Sequence, residues 1–161
     1  MTIHQFSDRE ALHIAAQIER KGERFYRMAQ SVAGSGPAGP LLEMLRRQEL
    51  AHAQRFEQML ETLRDGEEDE SYDLETSSYL SAIAAEVVFP GGVLASLMNR
   101  KLETVRDVLL CAIGSEKDSL LFYMELLIET RSEQTAQVLR SIVAEEKRHL
   151  VDLQQLLEKT R

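Results

Sequence analysis

The sequence predicts an all-α protein, a four-helix bundle made of two helix hairpins joined by a long crossover. Three observations lead there. Glycine and proline are few, 8 and 3 in 161 residues, and they cluster, which leaves long uninterrupted helical stretches. Within those stretches the apolar residues step by three and four, so each stretch carries one apolar face. Finally, the second half of the chain repeats the first at an offset of 97 positions.

The elements follow in order. Ser7 with Glu10 three residues on has the form of a capping box, so the first helix is expected over about 7–33. The stretch GSGPAGP, residues 34–40, is a tight connection, and Pro40 suits the first helical position of a second helix over about 40–64. Residues 65–103 form the crossover. It opens with an acidic loop (Asp65, Glu67, Glu68, Asp69, Glu70, Asp73, Glu75) and continues as a short amphipathic helix around Thr76–Phe89 that breaks at Pro90-Gly91-Gly92. The third helix is expected over about 104–130. The fourth runs over about 132–159, with Ser132 as its N-cap. Short loops make antiparallel neighbours, and residues 1–161 read as one domain.

Composition sets limits. Hydrophobic residues make up 43% and charged residues 29%, as in globular chains. No apolar run is long enough to span a membrane, and MTIHQFSDRE has no apolar stretch resembling a signal peptide, so a cytoplasmic location with no membrane partner is expected. A net charge of −8 argues against nucleic acid as a partner. The lone Cys111 excludes an internal disulfide and reads as helix filler, as do Met28, Met44, Met59 and Met124. The stripe Tyr79, Leu80, Ile83, Val87 and Val88 suits packing on the bundle or on a second subunit.

The repeat carries the chemistry. Leu12, Ala15, Glu19, Gly22, Tyr26 and Ala29 share one face of the first helix, and their mates are Leu109, Ala112, Glu116, Ser119, Tyr123 and Leu126. In the second helix the stripe is Leu42, Leu45, Glu49, His52, Phe56 and Met59, matched by Leu139, Ile142, Glu146, His149, Leu153 and Leu156. Glu19, Glu49, Glu116 and Glu146 thus interrupt apolar stripes near mid-helix. Burying four ionised carboxylates in one core is prohibitive without compensation, and two divalent cations supply it. Glu-x-x-His, at Glu49/His52 and Glu146/His149, offers an oxygen and a nitrogen from one side of a helix. Mixed oxygen and nitrogen donors without thiolate suit iron, manganese or zinc, and open coordination positions favour a reactive centre. The acidic loop could collect ferrous ions or simply be a solvated segment. His4 and His13 have no ligand mates and read as non-site residues.

Tyr26 and Tyr123 lie two turns from their glutamates. Their hydroxyls could hold a terminal carboxylate across the bundle, or these could be plain core tyrosines. Gln48 and Glu145 could hold the outer nitrogen of the opposite histidine, or face solvent.

At these residues the chain resembles the ferritin-like superfamily, in particular its rubrerythrin branch. The segment Ile18-Glu19-Arg20-Lys21-Gly22-Glu23-Arg24-Phe25-Tyr26 looks like that branch's first-helix signature, and Glu116 to Phe122-Tyr123 repeats it. The resemblance implies a ferritin-like fold and a centre of two iron ions per chain. Glu19 and Glu116 would be terminal ligands, Glu49 and Glu146 bridging, with His52 and His149 completing the set. It implies oxidation of a diferrous centre by hydrogen peroxide or dioxygen, re-reduction by an external electron donor, and a homodimer. Two departures bear on this. The paired Cys-x-x-Cys of a rubredoxin module is missing, and Ser119 stands where rubrerythrin proper has a further metal-binding glutamate. The alternatives are iron storage of the ferritin type and a redox-silent zinc or manganese bundle with an interaction role.

Overall fold

The computed structural model describes residues 5–63, 70–88 and 102–160. Among the described residues there are five helices and no strand: α1 (Asp8–Ala33), α2 (Gly39–Thr62), α3 (Leu74–Val88), α4 (Val105–Glu129) and α5 (Glu133–Lys159).

Local chemistry explains where the helices begin and end. The Ser7 hydroxyl accepts from the Glu10 amide, and the Glu10 carboxylate accepts from the Ser7 amide, so both halves of the capping box form. Thr104 and Asp107 make a second such box at the start of α4, one the sequence reading passed over. Ser132 caps α5 by accepting from the Thr135 amide. Helix α1 stops at Gly34, whose φ of 56° would strain any side-chain-bearing residue. Helix α2 starts one residue before Pro40, so the ring takes the second helical position, where a missing amide hydrogen still costs no helical bond.

Cross-helix pairs fix the directions. Arg20 meets Glu57 and Gln30 meets Glu43, so α1 and α2 are antiparallel. Tyr26 reaches Glu116 while Tyr123 reaches Glu19, which makes α1 and α4 antiparallel as well. His52 faces Glu145 and His149 faces Gln48, giving the same relation between α2 and α5. Helices α2 and α4 therefore run the same way, and the connection between them has to return along the bundle.

The described part of that connection is α3, which packs on α1 and α4. Its N-terminal end is pinned to the start of the chain: the Tyr72 amide donates to the Phe6 carbonyl (2.7 Å), and the Phe6 amide donates to Ser77 Oγ (3.0 Å). Asp73, counted above in the acidic loop, caps α3 by accepting from the Thr76 amide at 2.7 Å. Asp65, Glu67, Glu68, Asp69 and the Pro90-Gly91-Gly92 break lie outside the described residues. Leu80 is fully buried and Ile83 packs beside it, whereas Tyr79 is exposed; the side chains of Val87 and Val88 lie outside the described residues.

The apolar interior falls into two clusters. One contains Leu12, Ala15, Phe56, Leu80, Tyr123, Leu126, Leu139 and Ile142. The other contains Tyr26, Ala29, Leu42, Leu45, Leu109, Ala112 and Leu153. On each stripe the glutamate lies between residues of the two clusters, so a polar layer divides the core. Met59 is buried, but Met44 and Met124 are exposed, contrary to their reading as filler, because neither lies on its helix's apolar stripe. Cys111 is half-buried, and burial raises its thiol pKa. Among the described residues no helix is long and apolar enough to cross a membrane.

Thr104→Ala removes the hydroxyl that accepts from the Asp107 amide and leaves the residue-104 amide still donating to the Asp107 carboxylate. It should lower the unfolding free energy by about 1 kcal/mol, read from urea denaturation. An unchanged midpoint would mean that the start of α4 is held by packing alone.

Candidate metal centre

The polar layer is built from one glutamate on α1 (Glu19), one on α4 (Glu116), and a Glu-x-x-His pair on each of α2 (Glu49, His52) and α5 (Glu146, His149). Each of the six is buried, none more than 5% exposed. Spacings of three and four keep each residue on its helix's inward face, and antiparallel packing brings all six to one level. Their potential ligand atoms form two groups, Glu19, Glu49, His52 and Glu146 in one and Glu49, Glu116, Glu146 and His149 in the other. Within each group these atoms lie within 4.8 Å of one another. Glu49 and Glu146 are common to both.

The surroundings orient these groups. The two imidazole rings stack with centroids 5.6 Å apart and planes 18° off parallel. Both turn Nδ1 inward and Nε2 outward. His52 Nε2 donates to Glu145 (2.9 Å), and His149 Nε2 donates to Gln48 Oε1 (2.6 Å). Of the two readings open for Gln48 and Glu145, the structure thus shows contact with the opposite histidine. The Tyr26 hydroxyl donates to Glu116, and the Tyr123 hydroxyl donates to Glu19. Burial, and then the adjacent carboxylates, push both phenol pKa values well up, so both remain donors.

The electrostatics show what the layer lacks. Burial, followed by Glu19, Glu146 and Glu116, holds the Glu49 carboxyl well above its ordinary range. Burial and the nearby Glu146 push Glu116 up to about 8. Burial opposes charge on His52, but Glu146 and Glu19 outweigh it and push the imidazolium up to about 11. Burial opposes charge on His149 too, and Glu116, Glu146 and Glu49 overcome it. Burial and Glu19 oppose ionisation of Glu146, yet the adjacent Glu116 carboxyl and the His149 and His52 rings bring its pKa below the ordinary value. Without a cation, protons hold the carboxylates together.

Protons do so incompletely. Four buried atoms of the layer, Glu19 Oε2, Glu49 Oε1, His52 Nδ1 and Glu146 Oε1, have no hydrogen-bond partner. His52 Nδ1 lies 2.7 Å from Glu146 Oε1 and 3.4 Å from Glu19 Oε2, close enough for charge attraction but misaligned for hydrogen bonding. These are one atom from each member of the first ligand group. Orphaned polar atoms are rare in folded proteins, and four converging lone pairs are the donor set of a divalent cation. With oxygen and nitrogen donors and no thiolate, the residues fit iron, manganese or zinc.

Two neighbours escaped the sequence reading. A Cβ at Gly22 would stand 2.2 Å from Glu49 Oε2, so Gly22 is the recess into which that carboxylate fits. The available signal was a glycine in mid-helix on the site face, three residues after Glu19. Glu23 is also buried, held by Arg27 (2.6 Å) and Arg46 (3.1 Å) outside the layer. Ser119, the mate of Gly22, is buried, and among the described residues no fifth carboxylate joins either ligand group. His13 is exposed, and His4 lies outside the described residues.

Gly22→Ala should separate the recess from the fold. Alanine favours the helix by about 1 kcal/mol, but its methyl forces Glu49 out of place. The expected outcome is a folded protein, by circular dichroism, whose divalent-metal affinity is reduced. Wild-type affinity would mean that Glu49 is free to shift without consequence.

No protein-family model and no curated protein matches the chain. Among solved structures, it is similar to one from Thermotoga maritima described as a "putative ferritin-like diiron-carboxylate protein". The two share 26% sequence identity and a TM-score of 0.78, over 98% of this chain and 99% of that one. With the likeness extending along the whole length, the fold is ferritin-like and the buried carboxylate–histidine cluster at its centre fits a di-iron site.

Proposed function

We propose that the protein is a rubrerythrin-like di-iron oxidoreductase. It would oxidise a diferrous centre with hydrogen peroxide or dioxygen and be re-reduced by an external donor. One observation carries the reading: four buried carboxylates converge with two imidazoles, and four of their atoms lack a hydrogen-bond partner. When bound, the iron pair would supply two electrons and polarise the oxidant.

The residues have definable tasks in this scheme. Glu49 and Glu146 belong to both ligand groups, which supports them as bridging ligands. Glu19 and Glu116 would be terminal, each held by a tyrosine hydroxyl from the opposite hairpin. The outer N–H of each histidine is engaged, so the neutral ring presents the Nδ1 lone pair inward. Four carboxylates balance two divalent ions, and the apolar clusters on either side keep water from the layer. With Cys111 the lone cysteine, no Cys-x-x-Cys electron carrier lies within the chain, and the reductant would be a separate protein or small molecule. A cytoplasmic homodimer fits this role, with peroxide and oxygen defence as its purpose.

The test is an anaerobic ferrous titration of metal-free protein, followed by stopped-flow mixing with peroxide or with air-saturated buffer. Saturation at two irons per chain and faster oxidation by peroxide are expected, and Glu49→Ala or Glu146→Ala should abolish loading. Uptake continuing well past two would indicate storage. A centre that loads zinc or manganese and shows no redox response would overturn the oxidoreductase reading.

Loading should also depend on pH in a defined direction. In the metal-free protein Glu116 titrates at about 8, against an ordinary 4.5, and His52 at about 11, against 6.5. The folded state therefore binds more protons than the unfolded one over these intervals. Metal-free stability should fall as pH rises, between 4.5 and 8 through Glu116 and between 6.5 and 11 through His52. Metal binding displaces the same protons, so apparent affinity should rise with pH and uptake should acidify a weakly buffered solution. Titrations at pH 6 and 8 check the sign, the scale being about tenfold per pH unit for each proton displaced, or up to about a hundredfold over that interval.

A further inference from the structure

The ligand positions of the two halves match pairwise, but the residues behind the two histidines do not. His52 Nε2 donates to a carboxylate, Glu145, at 2.9 Å. That carboxylate is itself fixed by Arg55 Nη1 and Ser141 Oγ, both at 3.1 Å. His149 Nε2 donates instead to the neutral amide oxygen of Gln48, at 2.6 Å. Gln48 and Glu145 are mates in the repeat. The mates of Arg55 and Ser141 are Asp152 and Met44, so the repeat supplies neither the cation nor the hydroxyl that anchors an acid behind His52.

A charged acceptor makes the stronger hydrogen bond and leaves the imidazole the better electron donor to a metal. A second observation points the same way. Of the four orphaned atoms, those on Glu49 and Glu146 belong to residues of both groups, while Glu19 Oε2 and His52 Nδ1 belong to the His52 group alone and none belongs to the His149 group alone. In the other group His149 Nδ1 already has a partner, Glu146 Oε2 at 3.0 Å. The cation relieves more at the His52 position.

We infer that the chain holds its two divalent ions unequally, with Glu145 acting as a positioning residue that makes the His52 position the tighter of the two. This rests on the dinuclear centre proposed above. At limiting metal the protein would then carry a single ion beside His52, and the position beside His149 would fill and empty at higher free metal.

Cobalt(II) is a suitable probe, titrated anaerobically into metal-free full-length protein and followed by visible absorption and calorimetry. His149→Ala leaves the His52 position and His52→Ala leaves the other. The first variant should bind one cobalt about 10–100-fold more tightly than the second, the range by which such outer partners alter affinity. Glu145→Gln gives both histidines an amide. It should weaken the tight class by a similar factor and leave the weak class unmoved, a split that general loosening of the bundle would not produce. Equal affinities in the two histidine variants, or a wild-type titration curve from Glu145→Gln, would overturn the inference while leaving the dinuclear reading standing. Absence of cobalt binding by the wild type would overturn both.

Discussion

Four glutamates in the middle of an apolar bundle are the constraint to which the rest of the molecule answers. Each would cost several kcal/mol if ionised and unpaired. Their neighbours are arranged around that cost. Two tyrosines each donate to one carboxylate, two imidazoles lie between the carboxylates, and a glycine vacates the space that one carboxylate fills. Protons cover the remainder when metal is absent, which is why two carboxyl pKa values and both imidazole values rise together. Such a layer lowers stability relative to an all-apolar core, and a fold keeps one for its chemistry.

Much of this was legible in the sequence because helices translate spacing into geometry. Ser7/Glu10 and Ser132 marked two helix starts by their capping chemistry, and the apolar stripes placed Glu19, Glu49, Glu116 and Glu146 on inward faces. Other features were not legible, for identifiable reasons. Gly22 lies on the right face, but only three-dimensional proximity shows that its missing Cβ makes room for Glu49 of another helix. Gln48 and Glu145 sit at the edge of the helix interface, where inward and outward placement differ by a fraction of a turn. Glu23 looks like a surface charge in the sequence, yet Arg46 from α2 folds over it. In each case the deciding partner comes from a different helix, and no local pattern names it.

The repeat is also more selective than it first appears. Ligands, tyrosines and flanking apolar residues recur at 97 positions, while the pairs Gln48/Glu145 and Gly22/Ser119 do not. Two-fold likeness therefore holds among the groups that face the centre and fails among those that support them. A duplicated hairpin gains a symmetric pocket at once. Its two halves are then free to diverge where the change tunes a ligand without moving it.

The paired tyrosine contacts between α1 and α4 have a mechanical consequence. Side chains on a helix lean toward its N-terminus, and these two helices are antiparallel. Tyr26 and Tyr123 therefore lean in opposite senses as they reach Glu116 and Glu19. Sliding α1 along α4 lengthens both ties in one direction and compresses both in the other, so the two act together. Any slip of one hairpin along the other is therefore opposed twice over at the level of the polar layer, where Glu19 and Glu116 stand.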